Sequence, residues 1–360
     1  MATAKGLAVL CASAALAAGS ILTAIAATPP SASAWPDVRE SILQLLEQRA
    51  LYRDKIDWPA ARQQIYHASG TTEADKILDQ LIARSTGNHG RWIRGSQMSR
   101  GVGGMQRVAS AEALHRPQAQ AATTSRGPER ADEADPIGWI SIPPFMQNSM
   151  EPSEVLDRQR LTFARQLQSQ LRKEDERDRC GWIVDLRQNQ GGNMWPMLVG
   201  VAPLLSTDPK HREVIGAFVG GPQRQTWSIE SSLVLLDERA PVALDSPAYS
   251  LRHPAPPVAV LIGPKTGSSG EAVALAFRGR PATRSFGQAT AGYSTANVPT
   301  PLPDGSILLL TGSVSVDRNL KGDGGKLQPD VTVSNAADAE QTARNWLLAQ
   351  SQCQAMASTR

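Results

Sequence analysis

Apolar positions recur along this chain at two different periods, and the change of period divides it. In "ESILQLLEQRALY", Ile42, Leu45 and Leu51 fall near the helical period, and "EADKILDQLIAR" repeats it with Ile77, Leu78 and Leu81. Residues 35–85 therefore predict helices, closed by the turn residues of "STGNHGRW". From Pro136 the pattern changes. "IGWISIPPF" alternates as a strand does, and Leu156, Phe163, Leu167 and Leu171 mark one face of a helix running to Arg179. The charged run "RKEDERDR" at its end reads as a solvated helix terminus. "GWIVDL" predicts a second strand, "MWPMLVGVAPLL" a helix, and "EVIGAFVG" a third strand. In "PPVAVLIGP", Val258, Val260 and Ile262 are β-branched and bounded by prolines and a glycine, so a short buried strand is expected. Asp304-Gly305 in "LPDGSILLLTGSVSVD" signals a hairpin. Strands alternating with helices predict an α/β layered domain over residues 137–335. It follows a small helical N-terminal domain, 35–99, and precedes a C-terminal helix and tail, 336–360. Residues 100–136 are rich in Ala, Gln, Arg and Ser without a period, and read as a linker or long loop.

Composition adds a compartment. Lys5, an apolar run from Leu7 to Ala27 and the small-residue sequence Ala32-Ser33-Ala34 predict a signal peptide over residues 1–34; an uncleaved anchor is the alternative. Its removal leaves 36 basic and 34 acidic residues, and no basic run carries interleaved aromatics. Such a near-neutral chain is not expected to bind nucleic acid. An exported chain, periplasmic or secreted, with no stable membrane span after cleavage, is the expectation. The mature chain keeps Cys180 and Cys353, which permit one disulfide in an oxidising compartment or two buried thiols. No metal-ligand spacing is present, so no metal or cofactor is expected.

Two short stretches carry candidate chemistry. "TGSSGEAVALAF" follows the buried strand directly, and strand, tight turn and helix is the geometry that exposes a nucleophile where helix amides favour negative charge. The same stretch is also a capping box, with Ser268 at the cap and Glu271 reaching back to it. "VDLRQNQGGNMWP" ends a strand and carries Gly191-Gly192 into the next helix. Paired glycines let a backbone approach a ligand and turn N–H groups inward, as an oxyanion hole requires, although an ordinary strand-to-helix turn uses them too.

Taken in order, "GWIVDLRQNQGG", "TGSSGEAVALAF", "FGQATAGYSTAN", "LPDGSILLLT" and "LQPDV" resemble the C-terminal processing (tail-specific) serine peptidase family. The resemblance covers residues 137–333 and implies a crotonase/Clp-like α/β core. It implies Ser268 as nucleophile, with the backbone N–H groups of Ser269, Gly191 and Gly192 as oxyanion donors. Glu271 keeps its capping role. The bacterial branch places a lysine base 25 residues after the serine, where this chain has Tyr293, and a helper glutamine where it has Asn297. A phenol of ordinary pKa, about 10, is a poor substitute for a desolvated amine. In this respect the chain is more similar to the tricorn-type and retinoid-binding-like branch. There the base is a histidine in a short turn after the N-terminal helices, which His89 matches, and Asp323 falls at the position of the orienting acid. A histidine base of ordinary pKa would put the acidic limb of activity near about 6.5. The resemblance implies an exported serine peptidase acting on polypeptides by acyl transfer, without an inserted peptide-binding domain. The alternatives are a non-proteolytic binding module for small hydrophobic ligands and an inert scaffold on the same fold. Oligomeric state is not legible.

Overall fold

A computed structural model describes residues 35–94, 135–148, 151–208, 210–220, 224–230, 233–244 and 249–358. The expected signal peptide, and nearly all of the expected linker, lie outside these residues. Three helices come first: α1 (Trp35–Arg49), α2 (Trp58–Tyr66) and α3 (Thr71–Thr86). Their apolar faces bury Ile42, Leu46, Ile65, Leu78 and Ile82 against each other and against Trp92 and Leu308. The first helix stops at Arg49, short of the expected Leu51. There the Leu51 N–H leaves the helical ladder and donates to Thr311 O of the sheet at 2.9 Å.

The strands form two sheets. One is parallel throughout and contains β2 (Ile137–Ser141), β3 (Gly181–Asp185), β7 (Val258–Ile262), β8 (Thr283–Gly287) and β11 (Val331–Thr332), in the order β11-β8-β7-β3-β2. Every residue of β7 is buried, as its unbroken apolar run predicts. The other is antiparallel, in the order β1-β10-β4-β5-β6, and β9 also pairs with β10. It contains β1 (Arg91–Ile93), β4 (Glu213–Val219), β5 (Gln225–Glu230), β6 (Leu233–Leu236), β9 (Thr295–Pro301) and β10 (Ile307–Val316). The β9–β10 hairpin turns at the expected Asp304-Gly305, with Gly305 at φ 79°.

Helix α4 (Ser153–Glu174) packs Phe163, Leu167 and Leu171 into the core. It ends five residues before the expected Arg179, whose side chain is not solvated: its guanidinium donates to the carbonyls of Glu174 and Asp135. The single helix expected after Gly192 is two, α5 (Met194–Gly200) and α6 (Ala202–Leu205). Pro203, with no N–H, sits in the first turn of the second. Helix α7 (Ser269–Phe277) lies between the sheets, and α8 (Ala336–Leu348) and α9 (Ser351–Ser358) close the far face of the parallel sheet. Cys180 and Cys353 are joined in a disulfide that spans 173 residues and ties α9 to the start of β3.

The fold is thus α/β, with helices before it. Its two sheets bring the head of α7 and the end of α3 to one place.

Candidate active site

The sequence of β7 and α7 explains the position of Ser268. A buried apolar strand ends at Ile262, Thr266 closes the turn by donating to Leu186 O at 2.9 Å, and a helix of small residues begins at Ser269. Ser268 has φ 51° and ψ −115°, a conformation that residues with a Cβ rarely adopt. Strain of this kind persists only where the surroundings impose it. Here Glu271 Oε2 accepts the Ser268 N–H at 2.8 Å, and Gly270 lets the helix start lie against Asn189 O, where a Cβ would come within 2.5 Å.

His89 comes from the other side. Helix α3 ends at Gly87, in the left-handed conformation with φ 64°, and Asn88 repeats that φ, so the chain reverses sharply before β1. Asn297 Nδ2 donates to His89 O at 2.9 Å and its Oδ1 accepts from Thr311 Oγ1 at 2.5 Å, which ties the turn to the antiparallel sheet. The imidazole then lies with Nε2 3.0 Å from Ser268 Oγ and Nδ1 2.6 Å from Thr295 Oγ1. Its ring packs beside that of Tyr293, with centroids 5.3 Å apart. Burial, and secondarily the charge of Arg91, lower the His89 pKa to about 4. It is therefore neutral at ordinary pH. With the proton on Nδ1 donated to Thr295, the Nε2 lone pair faces the Ser268 hydroxyl.

The glycine turn completes the geometry. Gly191 and Gly192 have φ 117° and 119°. A Cβ on Gly191 would lie 2.9 Å from Ser268 Cβ, and one on Gly192 would strike Phe145 O. Both positions therefore demand glycine. The loop is held at several points. Gly191 N donates to Asn189 Oδ1 at 3.0 Å, Phe145 N to Gly191 O at 3.1 Å, and Asn193 N to Phe145 O at 2.8 Å. Gly191 is thus corrected as an oxyanion donor, because its N–H is spent within the loop. The N–H groups of Gly192 and Ser269 have no acceptor among the described residues.

The other candidates separate clearly. Glu271 is fully buried and accepts from Thr290 Oγ1, Gly292 N at 2.9 Å and Tyr293 N at 2.8 Å as well as from Ser268 N. Burial raises its pKa against those hydrogen bonds. It joins the nucleophile turn to the segment that leads into β9. Asp323 does not meet His89: it is exposed, and its Oδ1 accepts from Gly325 N at 2.9 Å. Its loop meets the start of β9 at neighbouring residues: Ser294 Oγ donates to Gly325 O at 2.7 Å, and a Cβ on Gly324 would lie 2.8 Å from Thr295 Cγ2. Among the described residues no group of three or more His, Cys, Asp or Glu side chains could hold a metal ion. No described helix is long and apolar enough to cross a membrane.

Two residues at this site escaped the reading of the sequence. Thr295 holds the imidazole, and "AGYSTAN" offers three hydroxyl residues with nothing to single it out. Asn189 is fully buried and its Nδ2 donates to Ile142 O and Pro143 O, while its backbone O accepts from Gly267 N. It stitches β2, the glycine turn and the nucleophile turn together. The Asn-x-Gly spacing before Gly191 was its available signal.

Comparison with known proteins bears on the family and the fold. A model of peptidase family S41 matches residues 136–333. The nisin-resistance protein of Lactococcus lactis subsp. lactis is 32% identical over 216 residues, covering 59% of this chain and 60% of that protein. The chain therefore matches only about 60% of the length of this curated relative. A lipoprotein from Streptococcus agalactiae has TM-score 0.63 at 26% identity, over 86% of this chain and 95% of its own. The photosystem II D1 C-terminal processing protease shares the fold, with TM-score 0.53 at 14% identity, over 88% of this chain and 97% of its own.

Proposed function

The chain belongs to peptidase family S41, and from that premise we propose that it is an exported serine peptidase working through a Ser268–His89 pair. The observation that carries this reading is the 3.0 Å contact between Ser268 Oγ and His89 Nε2, with Nδ1 engaged by Thr295. Nε2 takes the hydroxyl proton as Ser268 Oγ bonds to the scissile carbonyl carbon. The carbonyl oxygen becomes an oxyanion between the Gly192 and Ser269 N–H groups. His89 then gives its proton to the leaving amine, and an acyl-Ser268 remains. Water, deprotonated by the same imidazole, releases the acid and restores the serine.

Among the described residues no carboxylate stands behind this histidine, and the imidazolium formed in the transition state has the neutral Thr295 hydroxyl beside Nδ1. The base is weak but remains unprotonated far into acid. The substrate is a polypeptide, and the relative named for nisin resistance makes nisin a first substrate to test. Export is supported by the leader sequence and by the Cys180–Cys353 bond, which belongs to an oxidising compartment.

The test is labelling by a fluorophosphonate probe, with the modified residue located by mass spectrometry. The expected result is one label on Ser268, lost in Ser268→Ala together with hydrolysis of peptides. A folded protein that neither takes the label nor cleaves any peptide would overturn the reading in favour of a binding module.

A further inference from the structure

Ser269 is not a solvent-facing residue at the start of a helix. It is 8% exposed, and its hydroxyl donates to Gly192 O at 2.5 Å. That carbonyl belongs to the glycine turn, on which other anchors also act. Phe145 holds Gly191 O and the Asn193 N–H, and Asn189 holds the Gly191 N–H. The two Phe145 bonds tie the turn to the segment after β2, and the Asn189 bond braces it within its own loop. The Ser269 hydroxyl alone pulls Gly192 toward α7, and glycine at φ 119° offers little resistance of its own to rotation. The two residues joined by this bond are the two whose N–H groups have no acceptor among the described residues.

We infer that Ser269, through its hydroxyl, is a positioning residue that sets the separation of the two oxyanion donors. It rests on the serine-peptidase reading above. Ser269 has two parts in it: its N–H faces the oxyanion, and its side chain holds Gly192 against the head of α7, while the Phe145 N–H on Gly191 O, in the same peptide plane, aims the Gly192 N–H. Alanine retains the first and loses the second. A well-placed donor contributes about 10²–10³-fold to rate, so a donor left to wander should forfeit part of that. The ground-state carbonyl gains far less than the oxyanion from such donors, so the loss falls on kcat.

The experiment compares the parent with Ser269→Ala and with Ser269→Cys, which is close in size to serine and a poor donor. Steady-state kinetics on one peptide substrate are run beside inhibition by the matching peptide aldehyde, whose adduct with Ser268 carries an oxyanion. The expected result is a fall in kcat of about 10–100-fold with KM within about threefold, and aldehyde inhibition weakened by a similar factor. Thermal midpoints should stay near that of the parent. If the alanine variant is unstable, the cysteine variant carries the test. A kcat within twofold of the parent overturns the inference, as does a loss carried by KM or one that leaves aldehyde affinity unchanged. A parent that neither hydrolyses peptide nor takes a fluorophosphonate label overturns the peptidase reading instead, and that result is visible before any variant is made.

Discussion

The two halves of the proposed catalytic pair are built in opposite ways. Ser268 is held by its own neighbourhood in sequence: the β7 run before it, Thr266 in its turn, Glu271 three residues on and a helix of small residues after it. His89 is held almost wholly from a distance. Its carbonyl is fixed by Asn297, its ring by Thr295 and Tyr293, and all three lie more than 200 residues away along the chain. A locally encoded strand, turn and capped helix can be read from a dozen residues. A base assembled from long-range contacts cannot, and on that side the expected acid, Asp323, does not meet the imidazole.

The largest expected effects test the pair as a unit. Ser268→Ala should abolish labelling and lower kcat by about 10⁴-fold or more, and His89→Asn should fall in a similar range. Combining them should add little further. A His89→Asn enzyme with near-normal single-turnover rates would break the comparison on its distant side and leave Ser268 without its base.

An intermediate effect tests how the imidazole is oriented. With burial holding its pKa at about 4, His89 should stay neutral from pH 7 down to about 5, and kcat/KM should fall only as the pH passes through about 4. The sign follows from the base being active when unprotonated. Thr295→Val removes one neutral hydrogen bond, worth ~0.5–1.5 kcal/mol, and should lower kcat by about 2–10-fold. Thr295→Asp puts a carboxylate at Nδ1 and should move the acidic limb upward by about 1–3 pH units. A parent limb near 6.5 would show that His89 is more solvated than its surroundings here allow.

Legibility followed the same division. The buried β7, the hairpin at Asp304-Gly305, the glycine turn and the Ser268–Glu271 cap were visible because each is set by residues within a few positions of one another, while the choice of Ser268 as nucleophile came from the family resemblance. The 89 position was visible only through a family resemblance, since a lone histidine in a turn has no local mark of its role. Its depressed pKa was not visible at all. Desolvation depends on what packs over the ring, and Tyr293, Thr295 and the antiparallel sheet arrive from the other end of the chain. Thr295, Asn189 and the side-chain role of Ser269 were missed for one shared reason. Each acts through hydrogen bonds to backbone atoms or to a ring far away in sequence, and composition carries no trace of such partners. The break at Val201 was legible in principle, because Pro203 forbids a continuous helix there.

The smallest effect is expected where the sequence pointed to an acid. Asp323 is exposed and its carboxylate is occupied in its own turn by Gly325 N. Asparagine presents the same acceptor oxygen to that N–H, so Asp323→Asn should preserve the turn and the packing of Gly324 against Thr295. With no carboxylate at Nδ1 to lose, kcat/KM should remain within about twofold and the acidic limb should stay near about 4. Gly324→Val is the useful contrast. A Cβ there would come within 2.8 Å of Thr295 Cγ2, and glycine holds φ 82°. Pushing Thr295 away from His89 should lower kcat more than Asp323→Asn does, although the charge is untouched. Measured together on one substrate, the two variants separate a loop that acts through its backbone from one that supplies an acid. A tenfold loss in Asp323→Asn, with Gly324→Val unaffected, would mean that the carboxylate reaches the imidazole during turnover and that the histidine side of the site closes on substrate.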